Sequence, residues 1–188
     1  KSPADGYTFL MAHTGEFVVN PAVFKDVPYE LDRDFAPITM INDAPIVWVV
    51  NKDTPYQSMQ ELMAAAKAKP GTIGVSTPGN GSVNHLVMEW FGMETGAKFL
   101  HVPYKGGAPA MTATAGGEVP TGIAALSSAM PHLQSGRVRT LAVTTAERSA
   151  MLPDVPTVAE TVKGYEASGI FGMGIQKAAP KEIVDKLN

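Results

Sequence analysis

Three features of the sequence predict an α/β fold with a mainly parallel sheet. Strand-length apolar runs alternate with helix-length segments through the middle of the chain, one helix carries both a start and a stop signal, and Gly-rich junctions lead from strands into helices.

The first apolar run is residues 7–12 (YTFLMA), followed by 37–41 (PITMI) and 45–50 (PIVWVV), the last β-branched and bounded by Pro45 and Asn51-Lys52-Asp53. Ser58-Met59-Gln60-Glu61 then opens a helix as a capping box, in which the Ser58 hydroxyl takes an orphan N–H while Glu61 reaches back. Met59, Leu62, Met63 and Ala66 supply its buried stripe, and Pro70-Gly71 ends it. Residues 73–76 read as a strand, Val83–Thr95 as a helix with Val83, Leu86, Val87, Trp90 and Phe91 on one face, and 99–104 (FLHVPY) as a strand. A small-residue helix (108–115), a weak strand (119–125), a short helix (127–135) ended by Gly136 and a strand (140–145, TLAVTT) continue the alternation. The pattern then changes. Residues 147–165 contain turn points at Ser149, Pro153, Pro156 and Gly164 and a short helix near 158–162. Residues 167–175 are Gly-rich but strand-like, and Pro180 sits in the first turn of a last helix. Regular βα units flanked by segments of another character predict two lobes: residues 1–52 with 167–188, and residues 53–166.

Composition excludes several classes of function. Across 188 residues, Lys+Arg 15 against Asp+Glu 18 leaves a net charge of −3, with no electrostatic footprint for nucleic acid and no basic face for anionic lipid. A hydrophobic share of 45% with 18% charged residues describes a filled core. The absence of cysteine removes disulfide scaffolds, zinc ribbons and thiol nucleophiles. The longest unbroken apolar stretch, from Ile46 to Val50, is far short of the ~20 residues of a membrane helix. The opening runs a Pro/Asp/Gly turn straight into the first strand and reads as the edge of a longer chain, so the missing signal-peptide pattern does not bear on location.

Ligands of parallel α/β sheets collect beyond the carboxyl ends of the strands, and three such junctions are legible. In Ser76-Thr77-Pro78-Gly79-Asn80-Gly81-Ser82, Gly79 and Gly81 let the backbone turn with positive φ, and Ser82 is placed to cap a helix whose free N–H groups suit an anion. His85, in the first turn, faces the same space. No Lys-Ser/Thr follows the glycines, so this is not a P-loop; a carboxylate fits better than a triphosphate, and an ordinary capped Gly turn is the alternative. The second junction, Tyr104-Lys105-Gly106-Gly107-Ala108-Pro109, adds a cation that is either an anion contact or simply solvated. The third, Ala124-Ala125-Leu126-Ser127-Ser128, predicts an apolar wall. Catalytic patterns are weak: His13, His85, His101 and His132 lack metal-ligand spacing, there is no G-x-S-x-G elbow, and Ser82 with His85 has no carboxylate placed to orient the imidazole except Glu89, one turn on. His101 and His132 read as packed, structural residues.

The segments PADGYTFLMAHTGEFVVNPAVF, DFAPITMI, ELMAAAKAKPG, STPGNGSVNHL, HVPYKGGAPAM, PHLQSGRVRTLAVTT and LPDVPTVAE, in this order, closely resemble the Bug-type periplasmic solute-binding receptors of tripartite tricarboxylate transporters. The resemblance implies a two-lobed, Venus-flytrap periplasmic-binding-protein fold that holds a small organic carboxylate in its cleft and hands it to membrane transporter subunits without catalysis or cofactor. It implies periplasmic location, a signal peptide ahead of the present segment and a monomer when complete. Carried across, the ligand loop of the far lobe is Ser76, Thr77, Gly79, Asn80, Gly81, Ser82 and His85, with Tyr104, Lys105 and Gly106 beside it; His13 and Thr14 belong to the near lobe. Family members carry an earlier strand, a Pro-Gly-Gly loop and a helix that are not in this chain, so the N-terminal part of the first lobe is missing. Where they often have Phe-Asp-Asn, this chain has Ile123-Ala124-Ala125. Two alanines predict a ligand without an amine, a dicarboxylate or aromatic carboxylate. An enzyme using Ser82 and His85, and a carboxylate-sensing module for a signalling partner, are the competing readings.

Overall fold

The β-branched run ending at Asn51 organises the larger part of the molecule. A computed structural model describes residues 3–188. In it the two apolar runs expected as separate strands form one strand, β2 (Phe35–Asn51). The chain divides into two compact units, one made of the segment up to Asp43 with Gly169–Asn188, the other of Ala44–Ser168. The sequence pattern put the first crossing near residue 52. It lies earlier because Ile46 to Asn51 are already paired within the larger unit.

In that larger unit β2 lies between two antiparallel partners. One is β5 (Thr121–Ala125), with Ile46 opposite Ala125 and Val50 opposite Thr121; the other is β6 (Val138–Val143). Beyond β5 come β3 (Gly74–Thr77) and β4 (Leu100–Pro103), both parallel. The sheet is therefore mixed: parallel where βα units supply the strands, antiparallel at β2.

Helix α3 (Met59–Ala68) is capped as expected by Ser58, whose Oγ accepts from Glu61 N at 3.2 Å, but the Glu61 carboxylate reaches one residue further back, to the N–H of Gln57 (2.7 Å). Helix α4 (Val83–Thr95) follows β3, α5 (Gly107–Gly116) follows β4, and α6 (Leu126–Gln134) follows β5. The core lies on both faces of the sheet. On the α4 face Trp48 is fully buried, its ring 4.9 Å from that of Phe91 and 5.4 Å from that of Phe99, while its Nε1 donates to Thr121 Oγ1 at 2.9 Å. On the α5 face Ala110 and Met111 pack with Val47, Val49 and Ala124. Each fully buried side chain of this kind contributes about 1.5–3 kcal/mol. The stretch after β6, expected as a surface connection, is pinned down at its end: Tyr165 is 1% exposed, stacks on Trp90 at 4.3 Å and donates its hydroxyl to Val87 O.

The smaller unit contains β1 (Phe9–His13), a π-helical turn Gly15–Val19 leading into α1 (Asn20–Val23), then α2 (Leu31–Asp34), the first half of β2, β7 (Ser168–Gln176) and α7 (Lys181–Leu187). β1 runs antiparallel to β7, which neighbours β2. Its core is small, centred on Ile38, Ile175 and Ala179. An open apolar groove of about 600 Å³ lies against Phe17, Phe35, Pro37, Met40 and Gly172. No helix among the described residues is long and apolar enough to cross a membrane.

Gly122 sets the distance between α5 and the sheet. A Cβ there would stand 2.7 Å from Met111 Cε and from Thr114 Oγ1, and closer still to Ser76 Oγ. Gly122→Ala is therefore expected to cost about 1–3 kcal/mol, the usual penalty of overpacking. Urea denaturation checks this; an unchanged midpoint would show that α5 moves away without loss.

Candidate functional site

The chain passes from β3 to β4 through α4 on one face of the sheet, then recrosses β3 through α5 on the other face to reach β5, so β3 is flanked by strands entered from opposite directions. This is a topological switch point, where a crevice opens at the strands' carboxyl ends. The helices α4, α5 and α6 all begin at that end, each after its own strand. The first N–H groups of a helix have no intrahelical partner, and the helix dipole makes that end positive. The arrangement favours an anion.

The first two junctions are fastened to each other by main-chain bonds. Tyr104 N donates to Thr77 O at 2.9 Å and Gly106 N to Pro78 O at 2.8 Å, while a Cβ on Gly79 would stand 3.2 Å from Tyr104 O. Gly81 (φ +71°) and Gly106 (φ +113°) hold conformations that other residues seldom adopt. Asn80 and Lys105 are exposed beside them. At the second junction, Gly107 lets α5 come up to α6: a Cβ there would lie 2.6 Å from Ser128 Oγ.

The loop is also buttressed by side chains. Ser82 caps α4, its Oγ accepting from His85 N at 3.2 Å and donating to Gly79 O at 2.8 Å. His85 Nδ1 accepts from Gly81 N at 3.2 Å, and its Nε2 lies 3.6 Å from Glu89 Oε1. His101, on β4, stacks face to face on His85 with ring centroids 3.8 Å apart, and its Nε2 is 2.6 Å from Thr77 Oγ1, which in turn accepts from Gly79 N. Burial, reinforced by the neighbouring His85, pushes the His101 pKa down from 6.5 to about 4. Ser82 and His85 are thus not a nucleophile and base. The hydroxyl proton is directed to a carbonyl, and neither ring nitrogen is bonded to Ser82 Oγ. No group of three His, Asp or Glu side chains suited to a metal occurs among the described residues.

Two expectations are corrected. The Ser76 side chain does not face the crevice: it is fully buried, donating to Ala110 O at 3.1 Å and paired with Thr114 Oγ1 at 2.7 Å, because strand alternation turns it toward α5. Ala124, also fully buried, packs beneath α5 and α6 and lines no open wall, whereas Ala125, one residue on and half-buried, points to the opposite face of the sheet. The Gly81 N–H is taken by His85 and is not a free donor. In the smaller unit, His13 and Thr14 are engaged locally. His13 packs against Phe171 with the rings tilted by 51° and their centroids 4.6 Å apart, and its Nδ1 accepts from Gly15 N; burial lowers its pKa against the opposing pull of Glu16. Thr14 Oγ1 donates to Ile170 O and accepts from Ile170 N. Sequence reasoning missed Asn84, 7% exposed in the first turn of α4 with Nδ2 lacking a hydrogen-bond partner; a lone Asn one residue from a cap matches no motif, so it carried no signal.

A two-unit α/β chain with anion-receptive helix ends at a switch point defines the periplasmic-binding-protein class. The chain matches the tripartite tricarboxylate transporter family receptor over residues 1–188 and belongs to that family, one of receptors and not enzymes. It is 35% identical over 192 residues to BugT of Bordetella pertussis, covering 100% of this chain and 58% of BugT. Among solved structures it is similar to Rpa4515 of R. palustris with adipate (38% identity, TM-score 0.94, 100% of this chain and 63% of that one). It is also similar to MatC (Rpa3494) of Rhodopseudomonas palustris with bound malate (26% identity, TM-score 0.87, 99% and 63%). The chain thus spans little more than half of BugT and less than two thirds of those structures.

The depressed pKa of His101 has a stability consequence. The unfolded chain takes up this proton near 6.5, the folded one only near 4. Stability from this residue is therefore complete above about pH 6.5, declines as pH falls toward 4 and levels off below. In thermal melts across that range, His101→Gln is expected to show a shallower decline than wild type; identical slopes would count against the assignment.

Proposed function

We propose that the chain is part of a periplasmic receptor that captures a small organic carboxylate at the carboxyl end of β3 and delivers it to membrane transporter subunits. The observation that carries this reading is the convergence of helix N-termini on a Gly-rich loop held rigid by main-chain bonds, which offers oriented N–H dipoles to an anion at little reorganisation cost. The adipate and malate of the similar structures support a dicarboxylate as ligand class. Thr77, Gly79, Asn80, Gly81, Ser82, His85, Tyr104, Lys105 and Gly106 form or support the grip, and Ala125 supplies an apolar wall that suits a ligand without an ammonium group. The two units are taken as parts of the receptor's two lobes.

Isothermal titration of adipate, malate and benzoate against the full-length receptor tests the reading. Binding of at least one is expected; binding of none would sink it. Gly81→Val forces a β-branched residue to φ +71° and breaks the loop's support on His85, at a cost of about 1–3 kcal/mol, so affinity is expected to fall most in this variant. Ser82→Ala removes a cap worth about 1 kcal/mol and is expected to lose less. Lys105→Met, exposed, is expected to lose least, and its effect to fade with added salt. If Lys105→Met instead loses most, a side-chain cation and not the backbone holds the anion.

A further inference from the structure

Asn84 presents a polar group with no protein partner at the end of the sheet where the helices begin. The residue is 7% exposed, and its Nδ2 is buried without a hydrogen-bond partner. Such a group costs about 1–3 kcal/mol unless something satisfies it, and a native protein that keeps one invites a reason. Its position can be derived from the helix and strand repeats. Asn84 shares the buried side of α4 with Val87, Met88 and Phe91. The Phe91 ring packs on Trp48, which pairs with Ile123 of β5. Seven helical residues separate Asn84 from Phe91, about 10 Å along the axis toward the N-terminus of α4. The two-residue repeat of β5 puts Ala125 on the same face as Ile123, about 7 Å nearer the strand's carboxyl end. Asn84 therefore lies toward the end of the sheet where the strands β3 and β5 terminate, within the first turn of α4, whose Val83 and Asn84 N–H groups precede the first intrahelical bond.

We infer that the Asn84 side-chain amide is a specificity-determining donor of the binding crevice, giving an N–H to an oxygen of the bound carboxylate. The inference rests on the carboxylate-receptor reading above. A neutral amide in the first helical turn adds a directional bond to the diffuse attraction of the helix end. It discriminates by position: a ligand without an oxygen at that point leaves the donor unsatisfied, which is where large discrimination comes from.

Asn84→Leu replaces the amide by an apolar side chain of similar volume. In the full-length receptor it is expected to keep or raise the melting temperature, because an orphan donor is removed, while affinity for the tightest-binding of adipate, malate and benzoate falls about tenfold or more, equivalent to about 1.4 kcal/mol. Asn84→Asp, which sets a carboxylate against the ligand's own, is expected to lose more. Asn84→Ala gives the same readout should the leucine disturb the packing. Wild-type affinity in Asn84→Leu or Asn84→Ala overturns the inference and leaves the amide to a bridging water or the core. Wild-type receptor that binds none of the three acids overturns the parent reading as well, so the two failures are told apart.

Discussion

The close approach of α5 to the sheet at Gly122 is the constraint on which the geometry of the larger unit depends. Ser76 and Thr114 meet over this glycine at 2.7 Å, and both hydroxyls lie within hydrogen-bond distance of Ala110 O, so their two protons are shared among three contacts in a small polar knot inside an otherwise apolar layer. Such a knot is stable because each of its members is satisfied. It fixes β3 against α5, and β3 is the strand whose carboxyl end carries the Gly-rich loop. The loop from Thr77 and the loop from Tyr104 are in turn held side by side by the parallel pairing of β3 with β4, which the Tyr104 N to Thr77 O bond continues.

Rigidity in the loop is achieved without regular secondary structure. Two main-chain bonds to the neighbouring loop, the Ser82 cap and two stacked imidazoles restrain Thr77 to Ser82 from several sides. The stack has an evident electrostatic requirement: faces 3.8 Å apart tolerate one positive charge far better than two. Keeping His101 neutral down to about pH 4 lets the pair support the loop across the pH range in which an exposed histidine would titrate. Histidines that suggest acid–base chemistry are here part of the scaffold.

Holding a ligand by helix ends and main-chain N–H groups separates the recognition of a carboxylate from the recognition of what is attached to it. The first belongs to the backbone and survives substitution at most positions. The second is left to a few side chains, among which Asn84 and Ala125 are the ones proposed above. Adipate and malate are bound by two structures similar to this chain at 38% and 26% identity.

Local rules in the sequence determined many of the elements of the larger unit and several of their ends. The Ser58 and Ser82 caps, the Pro70-Gly71 stop, the β-branched run before Asn51 and the Gly-rich junctions depend only on neighbours a few residues apart, and all are found where those rules put them. The mixed direction of the sheet, the single long β2 and the earlier crossing at Asp43 were decided by strand pairing between distant segments, for which local periodicity has no term. The same holds at the site. That Ser76 and Ala124 turn toward α5 while Ala125 turns away follows from which helix covers which face. The stacking of His85 on His101, and the burial of Asn84 without a partner, exist only once α4 has packed on the sheet. The sequence determined that anion-receptive loops are present; the tertiary structure alone decided which of their side chains remain to meet a ligand, because burial and pairing are properties of the assembled faces and not of any one segment.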